Sequence, residues 1–146
     1  MSNTDVGKRV LWHGMLLVLL GLLTGLAVPV LTNPRMGLSA HLEGVMNGVL
    51  LAVLGLAWPR LVLTDAQRGA LAWFALYGTY GNWAFTLLGA VLGTNKNTPI
   101  AGAGYGAAAW REQLVEVGLV SLSLSIIAAI ALAVWGLRHR RDDYRS

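Results

Sequence analysis

The chain contains no cysteine and little charge, and each shortage excludes a class of protein. Without cysteine there are no disulfides, no thiolate metal sites and no cysteine-based catalysis. Charged residues make up 12% of the 146 residues, about half of what a soluble domain carries. The isoelectric point near 10.0 would suit nucleic acid, but the basic residues lie at the chain ends and in short connections. We therefore expect no nucleic-acid partner.

Three long stretches carry no formal charge: residues 10–34, 69–95 and 117–137. A hydrocarbon core needs about 20 apolar residues in helical form, so each stretch is long enough to cross a bilayer. Lys8 and Arg9 precede the first stretch, but it is longer than a signal-peptide core and no small-residue cleavage site follows. The sequence thus predicts an integral membrane protein whose first helix is retained.

The predicted fold class is all-α, an integral membrane bundle of four helices in a single domain. The helices are predicted at about residues 10–31, 40–58, 65–93 and 110–137. Residues 94–109, rich in Gly, Asn and Thr, form a connecting loop that is long enough to carry function.

Helix ends are predicted from their local chemistry. Asn33-Pro34 is interpreted as the end of the first helix, and Ser39 as the N-cap of the second. Pro59 ends the second helix. Thr64 and Gln67 have the spacing of a capping box before the third.

The distribution of Lys and Arg predicts the orientation in the membrane. One side holds Lys8, Arg9, Arg60, Arg68, Arg138, Arg140, Arg141 and Arg145, and the other holds Arg35, Lys96 and Arg111. The richer side marks the cytoplasm, so both termini are predicted to be cytoplasmic. Trp12, Trp58 and Trp135 then fall at the cytoplasmic interface, as an aromatic belt would.

Several polar residues are predicted within the membrane or at its outer rim, with Asn82 at mid-depth, so that they can converge in the outer half. They are His41, Glu43 and Asn47 on the second helix, Asn82 with Tyr77, Tyr80 and Thr86 on the third, and Glu112 and Glu116 on the fourth. Ionisable groups at this depth are costly and are therefore candidates for function. We expect these groups to converge.

The second helix carries two polar faces. Glu43 and Asn47 share one face, whereas His41, Gly44 and Gly48 share another. The two glycines form a small-xxx-small pattern, which permits close approach of a helix or a flat ligand. His41 is predicted in the first turn, where the helix dipole disfavours imidazolium and leaves the neutral ring that a metal needs.

Each of these residues also has a purely structural interpretation. His41 and His13 could be interfacial, and the glycines could serve helix packing. Asn47 and Asn82 could form hydrogen bonds between helices. Glu43 and the glutamates of the fourth helix could lie at the membrane–water interface. Position alone does not decide between these interpretations.

Two stretches of sequence resemble a known family. They are NPRMGLSAHLEGVMNG at residues 33–48 and YGTYGNWA at residues 77–84, the latter followed by GTNKN at residues 93–97. Together they resemble the small membrane-bound hydroxylaminobenzene mutases of nitroarene-degrading bacteria, over about residues 10–137. More distantly, residues 40–48 are similar to an element of the styrene oxide isomerases, trimeric four-helix membrane enzymes that hold a ferric haem b near subunit interfaces through a histidine.

The resemblance implies a mutase of the bacterial inner membrane that converts hydroxylaminobenzene-type aryl hydroxylamines to 2-aminophenols. It implies haem b with His41 as its axial iron ligand, and Asn47 as an amide that orients the substrate. Asn82 matches a second asparagine of the isomerases. Gly44 and Gly48 are expected beside the cofactor, at a subunit interface. A homo-oligomer, such as a trimer, is expected because so small a bundle has little room to enclose a planar cofactor.

One departure from the isomerase pattern concerns the residue beside the substrate. The tyrosine of that family falls here at Thr86, and Tyr80 or Tyr77 is expected to take its place from a neighbouring turn. Glu43 or Glu116 is expected to supply or relay a proton. Two alternatives stay open: an epoxide isomerase of the styrene oxide type, and a membrane haem-binding or scaffold protein without catalysis.

Overall fold

A computed structural model describes residues 3–138 as four long helices joined by short connections. The helices are α1 (Asn3–Ala27), α2 (Pro34–Ala57), α3 (Asp65–Leu92) and α4 (Ala109–Leu137), and 3-10 turns follow the first two at Val28–Val30 and Trp58–Arg60. No strand occurs between residues 3 and 138, which confirms the all-α class. Arg140, Arg141 and Arg145, which contribute to the predicted cytoplasmic charge, lie outside the described residues.

Three segments are long and apolar enough to cross a membrane: Asp5–Val30, Pro34–Arg60 and Ala109–Leu137. Their outer surfaces are apolar; Leu26 is 80% exposed and Leu124 is 66% exposed, as is expected where lipid covers the protein. α3 has 28 residues but is not among these segments. The fourth span and the cytoplasmic location of both termini therefore stay predictions.

The second helix begins earlier than predicted. α2 starts at Pro34, and its N-cap is Asn33, whose Oδ1 accepts a hydrogen bond of 3.1 Å from the backbone N–H of Met36. Proline suits the first helical position because its missing N–H has no partner there in any case. The predicted N-cap, Ser39, is wrong: its hydroxyl bonds to the carbonyl of Arg35 inside the helix.

The earlier start of α2 places His41 further from the N-terminus of the helix. Counted from Pro34, His41 lies in the third turn of α2. Because the helix dipole acts within the first turn, it does not set the protonation state of this imidazole. The prediction that the dipole keeps His41 neutral is therefore wrong, and another cause is needed.

The third helix begins as the sequence predicts. The Thr64 hydroxyl accepts from the backbone N–H of Gln67, and the Gln67 side chain accepts from the backbone N–H of Thr64 at 2.9 Å. This reciprocal pair is the expected capping box. Pro59 likewise lies in the turn that ends α2.

The helices pack mainly in chain order, α1 on α2, α2 on α3 and α3 on α4. In residues 3–138, α1 meets α3 at only a few positions, and α4 packs chiefly on α3. α2 therefore has two covered sides, one against α1 and one against α3. This division determines which of its polar residues share an environment.

Glycines allow α1 and α2 to approach closely. A Cβ on Gly44 would lie 2.6 Å from the Cα of Gly21, and one on Gly48 would lie 2.6 Å from the backbone N of Val18. Both glycines of α2 are buried. Gly44 and Gly48 thus serve packing within one chain. Their expected location at a subunit interface or beside a planar cofactor stays a prediction.

The close contact between α1 and α2 leads to a prediction about stability. Gly14→Ala should lower the free energy of unfolding by about 1–3 kcal/mol, because the new Cβ would lie 2.5 Å from the backbone N of Ala52. Thermal unfolding in detergent, followed by circular dichroism, measures the change. The matched control is Gly69→Ala, since a Cβ there meets nothing within 4 Å. Equal unfolding temperatures for the two variants would contradict the prediction.

The loop between α3 and α4 folds over the helix ends that it joins and over the start of α2. The side-chain amide of Asn33 donates to the carbonyl of Ala101 at 2.9 Å. The carboxylate of Glu112 accepts from three backbone N–H groups, those of Asn95, Lys96 and Ala107. The loop is thereby fixed to both α2 and α4.

Candidate active site

A carboxyl group and an amide meet between α2 and α3. Asn82 Nδ2 donates a hydrogen bond to Glu43 Oε2. Both side chains are half-buried. A carboxyl group is costly in apolar surroundings and gains from such a donor. Of the polar residues expected to converge, these two do so through a direct bond.

Asn47 lies one turn further along α2, on the same face as Glu43. Its Nδ2 atom is buried and has no hydrogen-bond partner among the described residues. A buried donor without a partner costs about 1–3 kcal/mol. Asn47 therefore presents a donor that a small polar ligand between α2 and α3 could use.

His41 faces α1 instead. Its Nδ1 atom lies 2.8 Å from the carbonyl oxygen of Gly21. Because a carbonyl oxygen only accepts, Nδ1 carries the proton. The ring lies against Gly25, where a Cβ would come within 2.7 Å of Nδ1. In the neutral ring this leaves Nε2 unprotonated, so the Gly21 carbonyl, rather than the helix dipole, determines the tautomer and orientation of His41.

The two parts of the site lie on different sides of α2. His41 and Glu43 are two residues apart, which places their side chains about 200° apart around the helix. The hydrogen bonds agree, since His41 reaches α1 and Glu43 reaches α3. In one chain, the imidazole and the carboxyl–amide pair thus lie at nearly the same height along α2 but on different faces of that helix.

The two tyrosines are engaged away from Asn82. Tyr80 donates to the backbone carbonyl of His13 at 3.1 Å, and its oxygen lies 3.2 Å from His13 Nδ1. Tyr77 and the hydroxyl of Ser121 on α4 are 2.9 Å apart. Tyr80 is about 200° around α3 from Asn82. The structure does not bring either tyrosine to the Glu43–Asn82 pair.

The glutamates of α4 contact the loop between α3 and α4. Glu116 forms an ion pair of 2.5 Å with Lys96, and Glu112 holds the loop backbone as described. Neither carboxylate has a recorded contact with Glu43 or Asn82 in residues 3–138. The structure thus separates Glu116 from Glu43, the other predicted proton donor.

One family model, described as styrene oxide isomerase, matches residues 6–138. The chain belongs to the styrene oxide isomerase family. The chain is similar to hydroxylaminobenzene mutase HabB of Ectopseudomonas oleovorans, with 49% identity over 94% of this chain and 84% of that protein. It is also similar to hydroxylaminobenzene mutase HabA of the same organism, at 44% identity over 85% of this chain and 93% of that protein. No solved structure matches.

Membership in the styrene oxide isomerase family, together with these relatives, makes the protein an isomerase. The resemblance identified from the sequence is confirmed. The alternative of a membrane protein without catalysis is excluded by the same matches.

The residues of this isomerase fit a haem better than a metal ion held by side chains alone. In residues 3–138, no three His, Asp or Glu side chains come together as ligands. A haem iron needs only an axial ligand from the protein, and His41 offers an oriented Nε2. Leu38 and Leu42, which flank His41 on α2, are 51% and 48% exposed and supply apolar surface.

Sequence reasoning missed one polar contact of the core. Trp83 Nε1 donates to the hydroxyl of Thr24 at 3.0 Å, which joins α3 to α1. Thr24 is the hydroxyl residue within a long apolar run, and Trp83 adjoins Asn82 in the chain. Those features would have marked both residues for attention, but only the helix packing reveals that they meet.

Proposed function

We propose that this isomerase is a mutase that converts hydroxylaminobenzene-type aryl hydroxylamines to 2-aminophenols by moving the hydroxyl group within the substrate. The names and identities of the two relatives support the substrate class. The observation that carries the site is the buried, unpartnered amide of Asn47 beside the Glu43–Asn82 pair.

The proposed reaction is balanced without an oxidant or reductant. A proton is added to the hydroxylamine oxygen, and the N–O bond breaks heterolytically. Water departs, and the aryl nitrogen remains as a nitrenium-like cation whose charge spreads over the ring. The same oxygen then forms a bond to the ortho carbon and loses a proton. Finally the ortho hydrogen leaves the ring carbon as a proton and nitrogen gains one, which restores the aromatic ring.

Each polar residue has a role in this scheme. Glu43, as the acid, protonates the departing oxygen and afterwards takes back the proton that the new hydroxyl loses. Asn82 holds the Glu43 carboxyl through its amide. Asn47 donates to the oxygen and keeps it near the ortho carbon. The apolar helices around them keep bulk water from capturing the cation.

We propose haem b as the cofactor and His41 Nε2 as its axial ligand. A ferric haem, when bound, supplies a Lewis acid that can polarise the hydroxylamine oxygen. The Gly21 carbonyl supports this assignment because it fixes the tautomer of His41. Since His41 and the Glu43–Asn82 pair lie on different sides of α2, we also propose a homo-oligomer, such as a trimer, in which two adjacent copies complete one site.

We place the protein in the bacterial inner membrane, with four spans and both termini in the cytoplasm. The three apolar segments support a membrane location, and the excess of Lys and Arg at one end of the helices supports the orientation. A lipid-soluble aromatic substrate suits a site at this depth.

The role of Glu43 yields a prediction. Glu43→Gln should lower kcat by about a hundredfold or more, because the amide cannot deliver a proton, and loss of general acid catalysis costs about 10²- to 10⁴-fold. The matched control is Glu116→Gln, which breaks the ion pair with Lys96 and should leave kcat within about twofold. If Glu116→Gln were the inactive variant, the assignment of the acid would be reversed.

The substrate itself is tested with the purified protein in detergent. Incubation with hydroxylaminobenzene in ¹⁸O-labelled water should give 2-aminophenol whose oxygen comes from the substrate. Label in the product would mean that bulk water, not the original hydroxyl, attacks the ring. Turnover of styrene oxide to phenylacetaldehyde, with none of hydroxylaminobenzene, would favour the epoxide isomerase; Thr86, in place of that family's tyrosine, argues against this outcome.

A further inference from the structure

We propose that Trp83, acting through Thr24, is a positioning residue for the imidazole of His41. The proposal deepens the proposed function. It rests on that function only for the statement that His41 binds haem. Trp83 does not touch His41. Its contacts fix the two helices between which His41 is held.

The first contact is the hydrogen bond to α1. Trp83 Nε1 donates to Thr24 Oγ1 at 3.0 Å, and Thr24 Oγ1 in turn donates to the carbonyl of Leu20 at 2.8 Å. Since a hydroxyl has one proton and gives it to Leu20, it can only accept from the indole. Thr24 is 5% exposed. The direction of the bond is thus fixed, and no water competes for it.

The second contact is with α2. A Cβ on Gly44 would lie 2.8 Å from Cδ1 of the Trp83 indole and 2.6 Å from the Cα of Gly21. The indole edge therefore lies at the place where α1, α2 and α3 meet. One atom of its five-membered ring bonds to α1 and the next packs on α2.

These contacts surround the residues that hold His41. Thr24 is next to Gly25, against which the imidazole packs, and is three residues from Gly21, whose carbonyl accepts from Nδ1 at 2.8 Å. Gly44 follows His41 by three residues on α2. A shift of α1 along α2 would lengthen the Gly21–His41 bond and release the ring, since hydrogen bonds weaken steeply with distance and angle.

α1 packs closely along α2 through its glycines, but few contacts in residues 3–138 join it to α3. Among the described residues α1 meets α3 sparsely, and the other recorded polar link between these helices is that of His13 with Tyr80. That link lies about two to three turns from Gly21 along α1. At the level of His41, the Trp83–Thr24 bond is therefore the polar contact through which α3 helps to hold α1 in its position along α2.

The test is the Nδ1 proton of His41, observed by NMR of the full chain labelled with ¹⁵N-histidine in lipid nanodiscs without haem. The signal is assigned by its loss in His41→Ala. In Trp83→Phe, which keeps an aromatic ring but lacks the donor, and in Thr24→Val, which lacks the acceptor, solvent exchange of this proton should rise about three- to tenfold. Thr24→Ser keeps the oxygen and should retain slow exchange.

The matched control is Trp73→Phe, which replaces a tryptophan of the same helix that is 65% exposed, and should leave the exchange unchanged. Unaltered exchange in both Trp83→Phe and Thr24→Val would overturn the proposal. If one variant does not fold, the other decides. An increase in Thr24→Ser equal to that in Thr24→Val would also overturn it, since the hydroxyl would then have no special role.

A second measurement separates this proposal from the proposed cofactor. Haem titrated into the same variants and followed by the Soret band should bind about three- to tenfold more weakly in Trp83→Phe and Thr24→Val than in the unaltered chain. Failure of the unaltered chain to bind haem would overturn the cofactor assignment, and the NMR result would still decide whether Trp83 positions His41.

Discussion

Replacing His41 by Ala is expected to remove the haem absorption band of the purified protein and to lower kcat/KM for hydroxylaminobenzene by about a hundredfold or more. A Lewis acid at a departing oxygen contributes several kcal/mol of transition-state stabilisation, and each 1.36 kcal/mol corresponds to about tenfold in rate. The variant should still fold, because the shortened side chain keeps the glycine contacts of α1 and α2. The absorption spectrum and initial rates measure both effects.

The matched control is His13→Ala. His13 contacts Tyr80 rather than the Glu43–Asn82 pair, so this variant should retain the Soret band and the rate while losing about 1 kcal/mol of stability. Full activity of an iron-free, colourless protein would contradict the role of His41 in holding haem. Protonation by Glu43 would then have to suffice for breaking the N–O bond.

Asn47→Leu is expected to lower kcat/KM by about a hundredfold and, at the same time, to leave the protein at least as stable. Asn47 positions the departing oxygen, and a misplacement of a reacting group by about 1 Å can cost about 10²-fold in rate. The stability should not fall because the buried Nδ2 has no partner among the described residues, and its removal relieves a cost of about 1–3 kcal/mol. Initial rates and thermal unfolding of the same preparation measure the two effects.

Asn82→Leu is the contrasting variant. Its amide donates to Glu43, so the substitution should lower both activity and stability by leaving a half-buried carboxyl without that donor. The sign of the stability change therefore distinguishes the two asparagines. If Asn47→Leu were destabilised as strongly as Asn82→Leu, Asn47 would be a structural hydrogen-bonding residue and not one held for the substrate.

The sequence predicted a helix end correctly where the residues that form the cap lie within one turn of each other. The capping box of Thr64 and Gln67 was predicted for this reason, and Pro59 marked the end of α2 because proline cannot continue a helix. The start of α2 was predicted too late, because Asn33-Pro34 suits both the end of one helix and the start of the next. The bond from Met36 to Asn33 decides between them.

The faces of α2 were predicted correctly as faces, since helical periodicity places Glu43 with Asn47 and His41 elsewhere. What each face contacts was not predictable from periodicity. The glycines expected at a subunit interface pack on α1, and Tyr80, expected beside the substrate, bonds to His13. A pattern along one helix does not reveal which neighbour covers it.

The amino-acid sequence by itself determined that this is a helical membrane protein with polar groups in its apolar spans, because charge content and hydropathy depend on composition along the chain alone. Its likeness to the mutases was also legible there. Only the tertiary structure decided that Asn82 reaches Glu43, that Asn47 is left without a partner and that Gly21 orients His41. Those contacts depend on how helices that are distant in the sequence pack against one another. Close packing requires two complementary surfaces, and the sequence of one helix does not reveal the surface that it meets.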